Sequence, residues 1–190
     1  MIIEVFMNRE KSLLGNYTVF DLVIIAIISS LGIATKPIIV PLVHILTGPL
    51  FIPGGAIAGG FYMLWIVLGI GYIKKIGTGT LIGVVQSILV IASGAMGTHG
   101  IMSIISYTCP GIVADLVFLV CRDKKYTVMH YIFGCMAANI TGTAISNLLF
   151  FRLPSTVLLL LFSSAALSGA IGGLIASNIV KSLESMKLNI

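Results

Sequence analysis

Apolar runs long enough to cross a bilayer recur along almost the whole of this 190-residue chain, and nothing else limits its fold as strongly. A helix needs about 20 predominantly apolar residues to cross a hydrocarbon core of roughly 30 Å. Hydropathy and breaker residues place such spans at Phe20–Thr35, Gly55–Ile73, Thr80–Gly94, Ile101–Cys121, Val128–Leu149 and Ser155–Val180. The third is short. With 58% hydrophobic and 9% charged residues and a mean hydropathy of +1.14, the chain has too little polar surface for a soluble domain. The expected architecture is an all-α membrane protein, a six-transmembrane-helix bundle forming one integral domain over residues 1–190, multi-pass in the cell membrane.

Basic residues set the orientation. Arg9 and Lys11, Lys74 and Lys75, Arg122, Lys124 and Lys125, and Lys181 and Lys187 all fall on one side of a six-span arrangement, nine of the eleven Lys and Arg. Only Lys36 and Arg152 are opposite, so the positive-inside rule predicts cytoplasmic N- and C-termini. Glu4, Arg9, Glu10 and Lys11 precede the first span without the order of a cleavable signal peptide, and that span reads as a retained anchor. The first external connection, Lys36–Gly54, is apolar and carries Pro37, Pro41, Pro49 and Pro53. Prolines at this density predict an irregular loop held within protein or at the interface, the kind of segment that serves as a lid.

Several function classes are excluded or left without support. There is no GxxxxGK[ST] loop for nucleotide phosphates, so ATP-driven work falls to a partner. The formal charge of +5 is scattered among interhelical loops and gives no nucleic-acid stripe. Cys109, Cys121 and Cys135 have no CxxC spacing and read as packing residues; His44 and His99 sit in different loops without ligand spacing, so no metal site and no cofactor are expected. Ser93, His99 and Ser103 match no nucleophile motif, and no catalytic residue is assigned.

Polar groups at membrane depth mark the candidate site. Asp115 lies inside the fourth span, where a carboxylate costs at least ~2.5 kcal/mol and needs helices, a cavity or a cationic ligand around it. It either binds substrate or ties two helices together. Trp65, the single tryptophan, and Tyr62 lie in the second span, with the indole either stacking on a flat ring or packing as core. Gln86, Tyr107, Asn139 and Asn147 complete the intramembrane set, and His99 lies in the adjacent external loop. Tyr107 is about 12 Å nearer the outside than Asp115 on helical rise. An external pocket therefore draws on Tyr107, His99, Trp65, Gln86 and Asn147, with Asp115 and Asn139 deeper. Pro110-Gly111 is expected to kink or interrupt the fourth span and free carbonyls toward a cavity.

Small residues recur every four positions at Ala26, Ser30 and Ala34, and again at Ser168, Gly172 and Ala176 beside Gly169, Gly173 and Ser177. Such faces let backbones approach closely. Packing within the bundle is expected for the sixth span; for the first, a partner in the membrane and a neighbouring helix are both open.

Over nearly its full length the chain resembles the substrate-binding S components of energy-coupling factor (ECF) vitamin transporters, in size, six spans, the Ala26/Ser30/Ala34 face and the long first external loop. Gly48-Pro49-Leu50-Phe51-Ile52-Pro53, Gly59-Gly60-Phe61-Tyr62-Met63-Leu64-Trp65, Gly111-Ile112-Val113-Ala114-Asp115-Leu116-Val117-Phe118 and Ser168-Gly169-Ala170 look like the branch assigned to thiamine or hydroxymethylpyrimidine. That branch commonly carries glutamate where Asp115 stands, and alanine where Ser30 stands. The resemblance implies a binder that joins a transmembrane T component and two cytoplasmic ATPases through Ala26, Ser30 and Ala34. It implies capture of the vitamin from outside, under the Pro-rich loop, and release inside. Another cargo, including another vitamin or cobalt, and a stand-alone secondary transporter are the alternatives.

Overall fold

The computed structural model describes residues 17–48, 54–93, 100–120 and 126–187. It consists of α1 (Val19–Thr47), α2 (Gly54–Ile73), α3 (Thr78–Ala92), a 3-10 turn at Gly100–Met102, α4 (Ser103–Val120), α5 (Val128–Ser146), a wide π-type turn at Asn147–Phe151, and α6 (Ser155–Lys187). There is no strand among the described residues. Five of these segments are long and apolar enough to cross a membrane, and the apolar α3 is shorter. The chain is a multi-pass membrane protein.

The helices run up and down, so their ends gather in two layers. One layer holds the start of α1, the α2–α3 turn and the C-terminal end of α6, joined by Lys75–Asp21 and Lys74–Glu184 ion pairs of 2.5 Å each. This is the basic end of the bundle. The other holds the end of α1 folded back on the start of α2, where the Gly54 N–H donates to His44 Nδ1 at 3.4 Å.

α2 is the hub. It packs against every other long helix, and two-thirds of its span window is buried compared with about one-fifth for α1. An apolar helix without a polar face suits that position, because a helix hydrophobic all round belongs inside a bundle. Ile66, Val67 and Ile70 of α2 meet Ile25 and Ile28 of α1, Ile82 of α3, Phe118 of α4 and Tyr131 of α5 in one core. Glycine sets the closest crossings. A Cβ on Gly172 of α6 would run into the backbone of Gly60 in α2, and a Cβ on Gly111 of α4 into Gly79 of α3. The α6 row Ser168, Gly169, Gly172, Gly173, Ala176 and Ser177 is accordingly buried within the bundle.

Two expected breaks in helical structure are absent among the described residues. Lys36–Thr47 is not an irregular loop: α1 continues through Pro37 and Pro41 as a single helix of 29 residues. The two prolines are four apart, so Pro41 lacks the N–H that would bond the Pro37 carbonyl, and the losses fall along one side of the helix. Where no water can replace the remaining backbone bonds, keeping the helix is the cheaper solution. Pro49 and Pro53 lie outside the described residues. Pro110-Gly111 likewise does not interrupt α4, which runs unbroken from Ser103 to Val120 with both residues buried. The glycine serves the α3–α4 crossing instead.

Candidate functional site

On α1, Gly32 and Lys36 are one turn apart and face inward, Gly32 toward α2 and α3 and Lys36 toward α2 and α4. Gly32 leaves room for Gln86 of α3 and for Trp65 of α2, both of which a Cβ at this position would meet. One turn further along α1, the Lys36 ammonium donates to the Tyr107 hydroxyl of α4 at 2.7 Å. It also lies 4.5 Å from the Tyr107 ring centre and 5.1 Å from that of Tyr62, within cation–π range of both. Tyr62 precedes Trp65 by one turn of α2, and its hydroxyl donates to the Gly55 carbonyl at 2.9 Å. Four helices thus bring Lys36, Tyr62, Trp65, Gln86 and Tyr107 together.

The layer is rich in donors. Gln86 is 4% exposed. Among the described residues the Trp65 indole N–H is buried with no acceptor, and the hydroxyls of Ser106 and Thr108, on either side of Tyr107, are buried with no partner. A buried polar group without a partner costs about 1–3 kcal/mol, so these three on α2 and α4 call for an explanation; Thr47 Oγ1, Asn139 Oδ1 and Ser177 Oγ are likewise unpartnered among the described residues. Nearby, a cavity of about 70 Å³ is lined by Val90, Ile91, Gly100, Ile101 and Ser103. It is smaller than the 300 Å³ or so that a small-molecule site usually takes.

Four of the sequence-predicted site residues, Tyr62, Trp65, Gln86 and Tyr107, meet in this layer. The others lie elsewhere. Asp115 sits toward the basic end, where Oδ1 accepts the Gly79 N–H at 2.9 Å and Oδ2 accepts both the Thr80 N–H and the Thr80 hydroxyl at 2.7 Å. These are amides of the first turn of α3, whose N-cap residue, Gly77, has no side chain to cap with. Asp115 performs that capping from α4, and the positive end of the α3 dipole favours its negative charge. Asn139 ties three helices, its Nδ2 donating to the Ala56 carbonyl of α2 at 3.0 Å and the Ala165 carbonyl of α6 at 2.8 Å. Asn147 closes the α5–α6 connection by accepting the Leu153 N–H at 3.0 Å. His99 lies outside the described residues.

Lys36 is the residue that sequence reasoning missed, because it was counted as a topology charge in a loop. The available signal was its setting: a lone lysine between two apolar stretches, four residues after Gly32. Among the described residues, no three His, Cys, Asp or Glu side chains gather as a metal-binding group.

On the outside of the bundle, Ala26, Ser30 and Ala34 are all exposed, while Ile25, Ile28, Ser29 and Gly32 carry the buried side of α1. The Ser30 hydroxyl turns back to the Ala26 carbonyl at 2.8 Å, so even this polar group leaves the face smooth.

A family described as "ABC-type cobalt transport system, permease component" matches residues 20–141. The solved structure of an S-component of an ECF transporter superposes with a TM-score of 0.71 and 21% sequence identity, covering 90% of this chain and 88% of that one. At that identity the likeness is one of fold. No curated protein matches the chain.

Proposed function

The chain belongs to the family of permease components of ABC-type cobalt transport systems, and on that premise we propose that it is the substrate-binding S component of an ECF-type importer. The family match across four helices and most of the fifth carries this reading. The fold shared with an S component supports it. So does the exposed Ala26/Ser30/Ala34 face, a smooth stripe on which a T component's helices can pack closely. Two cytoplasmic ATPases complete the importer, and both termini of this chain lie on their side of the membrane.

Cargo binds among α1–α4, between Tyr62, Trp65 and Tyr107, with Gln86 as a polar contact. A flat heterocycle suits that set, because aromatic side chains stack on rings and donors fix their orientation. The pyrimidine of hydroxymethylpyrimidine or thiamine is the cargo toward which the resemblance at Gly48–Pro53, Gly59–Trp65 and Gly111–Phe118 points. The family description favours a second reading, in which Co²⁺ itself is the substrate. Energy from ATP is then spent on release and reset rather than on capture.

The test is co-expression of the tagged chain with a T component and two ATPases from the same cell. An S component copurifies with all three and confers ATP-dependent uptake. Substrate accumulation in cells lacking any such module would instead identify a stand-alone transporter.

A further inference from the structure

Taking the S-component reading as its premise, we infer that Lys36 anchors the cargo and that the cargo offers it a hydrogen-bond acceptor, a carboxylate or a ring or carbonyl lone pair. This narrows the cargoes named above to hydroxymethylpyrimidine or another neutral or anionic heterocycle, against thiamine, a permanent cation, and Co²⁺. Lys36 is the eighteenth residue of α1, about 25 Å along the helix on a rise of 1.5 Å per residue, toward the far side of the hydrocarbon core. A lysine whose only task was to reach the interface would extend outward along the helix. This one turns inward and is held by two tyrosines from two other helices.

An ammonium has three N–H donors and no acceptor. The Tyr107 hydroxyl takes one of these, and among the described residues no carboxylate forms an ion pair with Lys36. One turn toward the basic end, the Trp65 N–H adds a buried donor without an acceptor among the described residues. The site thus has a positive charge without an anionic counterpart, and an indole donor without an acceptor, among the described residues. An acceptor on the cargo corrects that imbalance, whereas a cation adds like-charge repulsion in a place where little water screens it. Lysine in this setting also separates two cargo types that the aromatic rings alone would treat alike, since a tyrosine cage without Lys36 attracts cations.

Equilibrium dialysis of the full chain in detergent tests this with four probes: nicotinate as a carboxylate heterocycle, hydroxymethylpyrimidine as a neutral one, thiamine as a permanent cation, and Co²⁺. Nicotinate or hydroxymethylpyrimidine binds the wild-type chain more tightly than thiamine or Co²⁺ does. Which of the two leads distinguishes an anionic from a lone-pair acceptor. Lys36→Met weakens the leading probe by about 10- to 100-fold, the usual loss for a hydrogen bond to a charged group, and Lys36→Arg recovers most of it. Thiamine or Co²⁺ binding tightest, or Lys36→Met binding the leading probe as well as wild type, overturns the assignment. The order of probes on the wild-type chain decides the matter even where a Lys36 variant does not fold. Either reversal leaves the S-component reading standing, because that reading fails on a different observation, the absence of copurification with a T component and ATPases.

Discussion

The two ends of this bundle treat their polar groups in opposite ways. At the basic end, Asp115 caps α3 with three hydrogen bonds, Lys75 pairs with Asp21, Lys74 with Glu184, and the Tyr17 hydroxyl donates to the Ile76 carbonyl at 2.8 Å. In the opposite half, Lys36 has no anionic partner among the described residues, and the Trp65 N–H and the Ser106 and Thr108 hydroxyls are buried without acceptors. A saturated network favours one arrangement of the helices, while unmet donors leave energy available to a ligand that meets them. On the proposed reading the contrast gives rigidity to one end and binding to the other, with the buried, unpartnered Ser177 hydroxyl as the exception in the basic half.

The largest effect is expected outside both ends. Replacing Ala26 and Ala34 together with Leu should abolish uptake by the reconstituted importer while sparing cargo binding and the thermal midpoint of the isolated chain, because neither side chain is buried. Normal uptake by that variant would remove the docking role from α1.

Next comes Asp115→Ala, which strands two amides and one hydroxyl of α3 and should cost about 2–3 kcal/mol, read as a lowered thermal midpoint in detergent. If stability were unchanged and binding lost, the division between the ends would be reversed. Lys36→Met sharpens the comparison from the other side. Removing an unpaired charge in favour of an apolar chain should leave the thermal midpoint unchanged or raised by about 1 kcal/mol, even as cargo affinity falls. A destabilisation comparable to that of Asp115→Ala would mean that Lys36 holds the bundle together. Smallest of all, Lys75→Met removes a partly exposed ion pair and should cost less than about 1 kcal/mol, a difference that disappears in high salt.

Most of the architecture was legible because membrane spans write themselves as apolar length: among the described residues each expected segment overlaps a helix, five of them long and apolar enough to cross a membrane, although α1 runs twelve residues past the expected end at Thr35. The burial of the Ser168–Ser177 row followed from small residues at helical spacing. What misled was proline. Breaker rules describe a chain that can exchange a lost helical bond for water, and α1 between Lys36 and Thr47 is an apolar helix without that option. Asp115 shows a different limit. Its partners, Gly79 and Thr80, lie 36 and 35 residues away, and only the absence of a capping side chain at Gly77 hinted that α3 would take its cap from elsewhere. Tyr62, Trp65, Gln86 and Tyr107 were legible as polar or aromatic groups at membrane depth. That they face one another across α1 through Lys36 was not, because the loop assignment had removed Lys36 from the helix.

The central claim is that cargo enters the layer formed by Lys36, Tyr62, Trp65, Gln86 and Tyr107. Trp65 is the single tryptophan, so its fluorescence reports this layer and nothing else. Titrating the detergent-purified chain with hydroxymethylpyrimidine, other vitamins and Co²⁺ should give a saturable change in Trp65 emission with one of them, at the same concentration that saturates equilibrium binding. Saturable binding with Trp65 emission unmoved would place the cargo elsewhere in the bundle and contradict the account.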